Sequence, residues 1–212
     1  MPLLLYCVTE ERVGKVSVPG VRGRKVDSIA GAALRCFFSS VEEEELEASE
    51  TVREDALQFH AVIQELFHHT PVIPFRYPTV VESAAFVAQF LEQHASQYTS
   101  ALASHRDDVQ MDVRLLVQQP RAAGNHHPKD GHNENGQLLE SAAATCRETV
   151  GPIAVKWHQK PTREGLRCYA LVRRNHIHNF QQQIQAAALP ARVKAVISGP
   201  WPTTEFLRSE PQ

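Results

Sequence analysis

The sequence has neither an excess of charge of one sign nor a long apolar run. Its 212 residues contain 22 Lys and Arg against 24 Asp and Glu, which gives a formal net charge of -2. A balanced chain lacks the basic footprint of a nucleic-acid-binding domain. The apolar run at residues 3–8 is too short for a signal peptide or a membrane span, and no basic segment precedes it. We therefore expect a cytoplasmic protein that binds neither nucleic acid nor membrane.

Cysteine is scarce and scattered. The four cysteines are Cys7, Cys36, Cys146 and Cys168, and no two of them have Cys-x-x-Cys spacing. A chain of this length buries about 70% of its unfolded surface, so it needs neither disulfides nor a metal for stability. We predict buried free thiols in a reducing compartment.

Motifs for catalysis are also missing. The sequence contains no Gly-x-Ser-x-Gly and no P-loop, and its paired carboxylates lie in acidic runs without an apolar pocket to separate their pKa values. Histidines cluster at His126, His127 and His132 and again at His176 and His178. A metal site needs three or four ligands held close together, and a polar loop does not provide that geometry. We therefore predict no enzyme, no metal and no cofactor. The alternative is a metal- or ligand-binding enzyme or sensor with a His-lined site between the domains.

The first half of the chain predicts a mixed sheet with two longer helices. Residues 3–8 are a continuous apolar run, which indicates a strand buried on both faces. Residues 26–38 predict a second strand. Apolar side chains at three- and four-residue steps predict helices over 51–70 and 83–104, and Ser83 is the expected N-cap of the second.

The second half predicts a ferredoxin-like arrangement. Its pattern is strand, helix, strand, strand, helix, strand, which is the βαββαβ order of that fold. The segments are residues 109–117, 138–150, 153–157, 166–172, 177–188 and 193–197. We therefore predict an α+β protein with domains at 1–106 and 107–212. The Gly-, Pro- and Asn-rich residues 118–136 are expected to form a mobile loop.

A proline-rich segment separates the two predicted helices of the first half. Pro71, Pro74 and Pro78 remove three backbone donors within eight residues, so the segment is an edge strand or a rigid extended link. Arg76 lies among apolar residues. A buried guanidinium needs a carboxylate or carbonyl partner, so we expect Arg76 to be paired.

A second stiff segment follows the last predicted strand. Gly199, Pro200 and Pro202 surround Trp201, which restricts the backbone on both sides of the indole. An indole held in this way is either a plug that closes the core at the end of the sheet or an exposed binding residue.

Both segments resemble motifs of the gas vesicle protein GvpL/GvpF family. The ending Ser198-Gly-Pro-Trp-Pro, with Phe206, is similar to the family signature Gly-Pro-Trp-Pro-Pro-Tyr-x-Phe. Residues 71–80, Pro-Val-Ile-Pro-Phe-Arg-Tyr-Pro-Thr-Val, resemble the family segment Pro-Val-Leu-Pro-Leu-Arg-Phe-Gly-Thr-Val. The matching residues that we assign a structural role are Pro71, Pro74, Arg76, Thr79, Gly199, Pro200, Trp201, Pro202 and Phe206.

The sequence departs from the family pattern in three places. Pro78 stands where the family has glycine, and Thr203 and Thr204 replace the Pro-Tyr pair. The family's basic, tyrosine-containing segment is missing, and the His/Asn/Gly loop occupies its place. If that segment binds the vesicle shell in the family, we expect this chain to have an altered partner.

The resemblance implies a fold and a function. The implied fold is two α+β domains, the second ferredoxin-like. The implied function is a non-catalytic assembly factor or minor structural component, associated with gas vesicles, that binds the small hydrophobic shell protein or other accessory proteins. The family brings no catalytic residues. Because a ferredoxin-like sheet leaves an edge to cover, we also expect self-association.

Overall fold

The structure, a computed structural model, describes residues 1–14, 16–42, 52–118 and 131–207, with the backbone alone at 131–133. The chain divides into two compact units, Met1–Arg106 and Asp107–Gln212. Each unit has its own sheet.

The first unit is built around a central strand that is buried on both faces. Its strands are β1 (Leu3–Glu10), β2 (Asp27–Gly31), β3 (Leu34–Ser40), β4 (Ile73–Pro74) and β5 (Val80–Val81). They are antiparallel in the order β2-β3-β1-β4, and β5 also pairs with β1. The first seven residues of β1 are all buried, so the prediction of a strand buried on both faces is confirmed.

The prediction of a single strand over residues 26–38 is wrong. Two strands, β2 and β3, meet there in a hairpin, and the turn residues Ala32 and Ala33 have φ angles of 53° and 64°. Two consecutive left-handed residues make the primed turn that fits the twist of a hairpin. The two turn positions hold alanine, which rarely adopts this conformation, instead of the glycine or asparagine that would mark such a turn in the sequence.

Two helices pack on the first sheet. Helix α1 (Val52–His69) contacts β1 through Phe59, whose ring centroid lies 5.1 Å from that of Tyr6. Helix α2 (Ala84–Ser104) shares a different apolar cluster, in which Leu91 packs with Leu5. The predicted cap of α2 is confirmed, because Ser83 accepts a hydrogen bond from the backbone N–H of Phe86 at 3.3 Å.

The second unit has the predicted element order. Its elements are β6 (Asp108–Val117), α3 (Gly131–Val150), β7 (Ala154–Thr162), β8 (Gly165–Arg173), α4 (Ile177–Ala186), β9 (Val193–Trp201) and the short α5 (Thr204–Leu207). The antiparallel strands follow the order β7-β8-β6-β9, which is the strand order of a ferredoxin-like sheet. The predicted α+β class is confirmed.

Helix α3 begins earlier than the sequence predicts. Residues 131–136 were expected within a mobile loop but are helical, whereas residues 119–130 lie outside the described part of the chain. Polar residues on an exposed helical turn add nothing to the apolar period that predicts a helix. Gly136 is exposed with open space around it, so the helix accepts it at a cost of about 1 kcal/mol.

Candidate functional site: the two motif segments

The proline segment, residues 71–79, closes one edge of the first sheet. Strand β4 lies within the segment and β5 follows it directly, and both pair with β1 on the same side. Between them the backbone N–H of Phe75 donates to the carbonyl of Tyr6 at 2.9 Å, and Leu5 N–H donates to the carbonyl of Thr79 at 2.9 Å. The segment therefore follows most of the length of β1, although regular strand pairing is limited to β4 and β5, which have two residues each.

The prolines of this segment keep the covered edge from recruiting another strand. Pro74 lies within β4 and has no N–H to offer. The peptide bond between Tyr77 and Pro78 is cis. Because edge strands with few free donors resist further pairing, the segment ends the sheet as well as covering β1.

Aromatic side chains of the proline segment contact both helices of the unit. The Phe75 ring lies 5.8 Å from that of Phe90 in α2, and the Tyr77 ring lies 5.2 Å from that of Phe59 in α1. Burial, with the negative charge of Asp55 as a second cause, raises the pKa of the Tyr77 hydroxyl. The segment thus joins α1, α2 and β1.

Arg76 does not carry the pairing expected of it. Its side chain is exposed, and none of the ion pairs among residues 1–14, 16–42, 52–118 and 134–207 includes it. The backbone turns there instead, with the Thr79 hydroxyl donating to the Arg76 carbonyl at 2.5 Å. An exposed guanidinium is solvated by water, so it needs no partner in the protein.

The buried charge pair of the first unit is Arg22–Asp55. The Asp55 side chain is 3% exposed, and Arg22 donates to its Oδ2 from Nε at 3.1 Å and from Nη2 at 2.9 Å. The backbone N–H of Arg22 also donates to Gln58 at 2.6 Å. Asp55 lies four residues before Phe59 on the buried side of α1, and an acid on an apolar stripe is the signal that sequence reasoning missed.

The C-terminal motif, residues 198–206, begins with a bulge in β9. Asp112 pairs with Ser198 and Gln110 with Trp201, so Gly199 and Pro200 together lie opposite Met111 and β9 has one extra residue there. Gly199 has a φ of 121°, and a Cβ there would lie 2.9 Å from the Gln110 carbonyl oxygen. Glycine is required at this position on both grounds.

Phe206, rather than Trp201, plugs the core at this end of the sheet. Phe206 is 1% exposed and forms an apolar cluster with Tyr169 and Leu171. Its ring lies 4.9 Å from that of His158. Trp201 is only partly buried, while Pro202 and Thr203 beyond it are buried.

A polar network fixes the helix that carries Phe206. The backbone N–H of Glu205 donates to Gln110 Oε1 at 3.1 Å, and Gln110 Nε2 donates to Asp112 Oδ1 at 2.8 Å. Asp112, with a side chain 1% exposed, also accepts from Arg167. Lys160 forms an ion pair with Glu205. These bonds join β6, β7, β8 and α5.

The electrostatics of the titratable groups oppose catalysis by the thiols. Burial raises the pKa of Cys36 and Cys168 to about 12 and that of Cys146 to about 11, and it raises the pKa of Cys7 as well. The thiolate is the reactive form, so these cysteines are poor nucleophiles at neutral pH. Burial lowers the pKa of His158, with Lys160 as a second cause, so its imidazole is neutral at pH 7.

The histidines singled out by the sequence do not assemble into a site where the structure describes them. His176 is half-buried beside α4 and His178 is exposed, with its Nε2 2.8 Å from Gln182 Nε2. His126, His127 and the side chain of His132 lie outside the described residues. Within the described part of the chain, no group of three or more His, Cys, Asp or Glu side chains is placed to hold a metal. None of the described helices is long and apolar enough to cross a membrane.

The fold and the two motif segments define an α+β protein whose distinctive residues tie strands and helices together. The chain belongs to the gas vesicle synthesis protein GvpL/GvpF family, whose model matches residues 2–208. The predicted resemblance is confirmed, and membership supports the accessory role in gas vesicles that the resemblance implies.

Solved structures share the fold along nearly the whole chain. The gas vesicle protein GvpF from Anabaena sp. PCC7120 superposes with a TM-score of 0.80 at 16% identity, covering 99% of this chain and 97% of that one. GvpF from Microcystis aeruginosa gives a TM-score of 0.78 at 14% identity, covering 97% of this chain and 98% of that one. No curated protein sequence matches the chain.

Proposed function

We propose that the protein is a non-catalytic assembly factor or minor structural component of gas vesicles. It acts in the cytoplasm by binding the small hydrophobic shell protein or other accessory proteins. The observation that carries this proposal is the family match over residues 2–208. The two motif segments support a structural role, because their described contacts tie strands and helices together.

Exposed apolar side chains provide probes of the binding surface. After Met1, Leu57 on α1 is the most exposed large apolar side chain among the described residues, at 64%. Val155 on β7, at 49%, is comparable in the second unit. Single exposed apolar residues are common on protein surfaces, so we use them to compare the two units rather than as evidence of a site.

The test is retention of the cognate shell protein, or of a cognate accessory protein, on the immobilised full chain. We expect the unaltered protein to retain a partner. We expect Leu57→Glu to reduce retention about tenfold or more if α1 lies in the interface, because a carboxylate desolvated without a partner opposes binding. Val155→Glu is the matched control in the other unit.

Folding of each variant is checked by circular dichroism before binding is compared. A folded protein that retains neither the shell protein nor any cognate accessory protein overturns the proposed function. Equal retention by Leu57→Glu excludes this face of α1 while leaving the family role intact.

A further inference from the structure

Helix α2 has an outer side that is exposed and almost uncharged. Of its 21 residues only Glu92 is an Asp, Glu, Lys or Arg, whereas the 18 residues of α1 include Arg53, Glu54, Asp55 and Glu65. The exposed side of a surface helix is normally rich in charge. Depletion of charge is instead typical of the centre of a protein–protein interface.

The inner side of α2 fixes which residues point outward. Val87, Leu91 and Leu102 belong to the apolar cluster of the first unit. The opposite side therefore presents residues at three- and four-residue steps. These outward residues are Phe86, Gln89, Gln93, Ser96, Ser100 and Ala103, and all six are exposed.

This outer stripe is self-complementary when it is read in reverse. Larger residues occupy its N-terminal half and small ones its C-terminal half, and the steps between them, 3, 4, 3, 4 and 3, are the same in both directions. Two copies packed antiparallel about a two-fold axis near residues 94 and 95 therefore place a large residue opposite a small one at every step. The facing pairs are Phe86 with Ala103, Gln89 with Ser100, and Gln93 with Ser96.

The single charge of α2 lies at the margin of this stripe, where Glu92 is exposed. In an antiparallel pair about this axis, equivalent flanking residues lie on the same side of the interface, so the two Glu92 positions are offset by about 7.5 Å along the helix axes. At an exposed margin, water and salt screen their repulsion. The antiparallel helix dipoles oppose one another, which favours this orientation.

We propose that α2 is a self-association surface whose partner is the α2 helix of a second copy of this chain. A 21-residue helix is about 31 Å long, so a strip about 10 Å wide buries about 600 Å² over both copies. Stable interfaces bury about 1,200 Å² or more. The contact is therefore reversible, and it forms where copies are held at high local concentration, as on a shared assembly.

Disulfide trapping tests the register of this contact. Full-length Gln93→Cys and Ser96→Cys proteins are mixed in equal amounts under mild oxidation, and the heterodimer is followed on non-reducing gels. Facing residues have an increased effective concentration, so we expect the mixture to cross-link at least about tenfold faster than either variant alone. The four native cysteines are buried and free, so they contribute little background.

A second variant separates the proposed contact from random collision. Ala103→Glu puts a carboxylate opposite the negative face of Phe86 at an exposed position, so the protein stays folded while cross-linking between Gln93→Cys and Ser96→Cys falls to the rate of an Ala61→Cys control on α1. Equal rates in the mixture and in the single variants overturn the proposal. So does faster pairing of Gln93→Cys with itself, or an unchanged rate with Ala103→Glu. The assay contains no shell protein, so its result is independent of the proposed function.

Discussion

Two buried aspartates hold arginines from neighbouring segments. Asp55 in α1 binds Arg22, whose backbone has a left-handed φ of 56°, and Asp112 in β6 binds Arg167 in β8. Each carboxylate is nearly inaccessible, while its arginine is partly exposed. Removing one partner of such a pair leaves the charge of the other partly buried and unpaired, which lowers the free energy of unfolding.

Asp55→Ala is predicted to destabilise the first unit by about 2 kcal/mol. The loss is smaller than for a fully buried pair, because Arg22 keeps 25% of its side chain exposed and regains water. The measurement is urea unfolding followed by far-UV circular dichroism. Glu54→Ala, which removes the exposed acid beside it, is the matched control and should shift stability by less than about 0.5 kcal/mol.

Arg76→Met is predicted to leave the free energy of unfolding within about 0.5 kcal/mol of the unaltered protein, because Arg76 is exposed. Phe75→Ala, one residue earlier, should cost about 2 kcal/mol, since it removes the ring packed on Phe90. The midpoints of urea unfolding of the two variants test these two expectations. A large loss in Arg76→Met would restore the sequence-based expectation of a structural ion pair at this position.

At the scale of elements, irregular strand ends place the residues of both motifs. The bulge at Gly199 and Pro200 turns β9 so that α5 reaches the sheet and Phe206 enters the cluster of Tyr169 and Leu171. In the other unit, the residues between β4 and β5 place Phe75 on α2. Local backbone geometry, rather than side-chain chemistry, explains why glycine and proline recur in these motifs.

Gly199→Ala is predicted to destabilise the second unit by roughly 2–4 kcal/mol, because the new Cβ meets the Gln110 carbonyl and the φ of 121° is strained for alanine. Gly136→Ala gives the opposite sign. That glycine lies exposed in α3 with nothing within 4 Å of the added carbon, so alanine should stabilise by up to about 1 kcal/mol. Tryptophan fluorescence during urea unfolding measures both, and a neutral Gly199→Ala would contradict the assigned bulge.

The sequence predicted the elements that have a strong apolar period. It predicted the buried β1, the Ser83 cap and the order of the second unit, because burial imposes the period of each element on its residues. It missed the Ala32–Ala33 turn, where the hairpin imposes a conformation that alanine does not favour. It also placed the start of α3 too late, because residues 131–136 are polar.

Much of the candidate site was beyond sequence reasoning, because its contacts join residues far apart in the chain. The resemblance identified the motif residues, but their roles depend on pairs such as Gln110 with Glu205, which are 95 residues apart. A contact between residues far apart in the chain leaves no periodic pattern in the sequence, so it cannot be detected from the sequence alone. For the same reason the sequence assigned a partner to Arg76 and overlooked Asp55.

At the scale of the whole molecule, each unit buries two free thiols. Cys7 and Cys36 lie in the first unit, and Cys146 and Cys168 lie in the second. Their pKa values are raised by burial from an ordinary value of 9.0. Both units are therefore expected to lose stability in alkaline solution, and the second can be observed separately because both tryptophans, Trp157 and Trp201, belong to it.

The second unit is predicted to become less stable as pH rises from 9 to 11. In this range the unfolded chain releases the protons of Cys146 and Cys168, whose folded pKa values are about 11 and about 12, while the folded unit keeps them. The unfolded state is thus favoured by about 1.4 kcal/mol per pH unit for each thiol. The stabilisation is complete below pH 9 and is lost as pH approaches the folded pKa values.

Urea unfolding followed by tryptophan fluorescence at pH 8, 9 and 10 measures this slope. The Cys146→Ala and Cys168→Ala variants each leave a small cavity and lower stability at every pH. The informative quantity is the slope of the free energy of unfolding against pH above pH 9. This slope should fall by half in each single variant, because one of the two titrating thiols is gone. Burial also raises the pKa of Tyr169, but its contribution begins higher, because the tyrosine of the unfolded chain releases its proton only near its ordinary value of 10.0. A slope unchanged by both substitutions would mean that the thiols of this unit ionise as easily in the folded protein as in the unfolded chain.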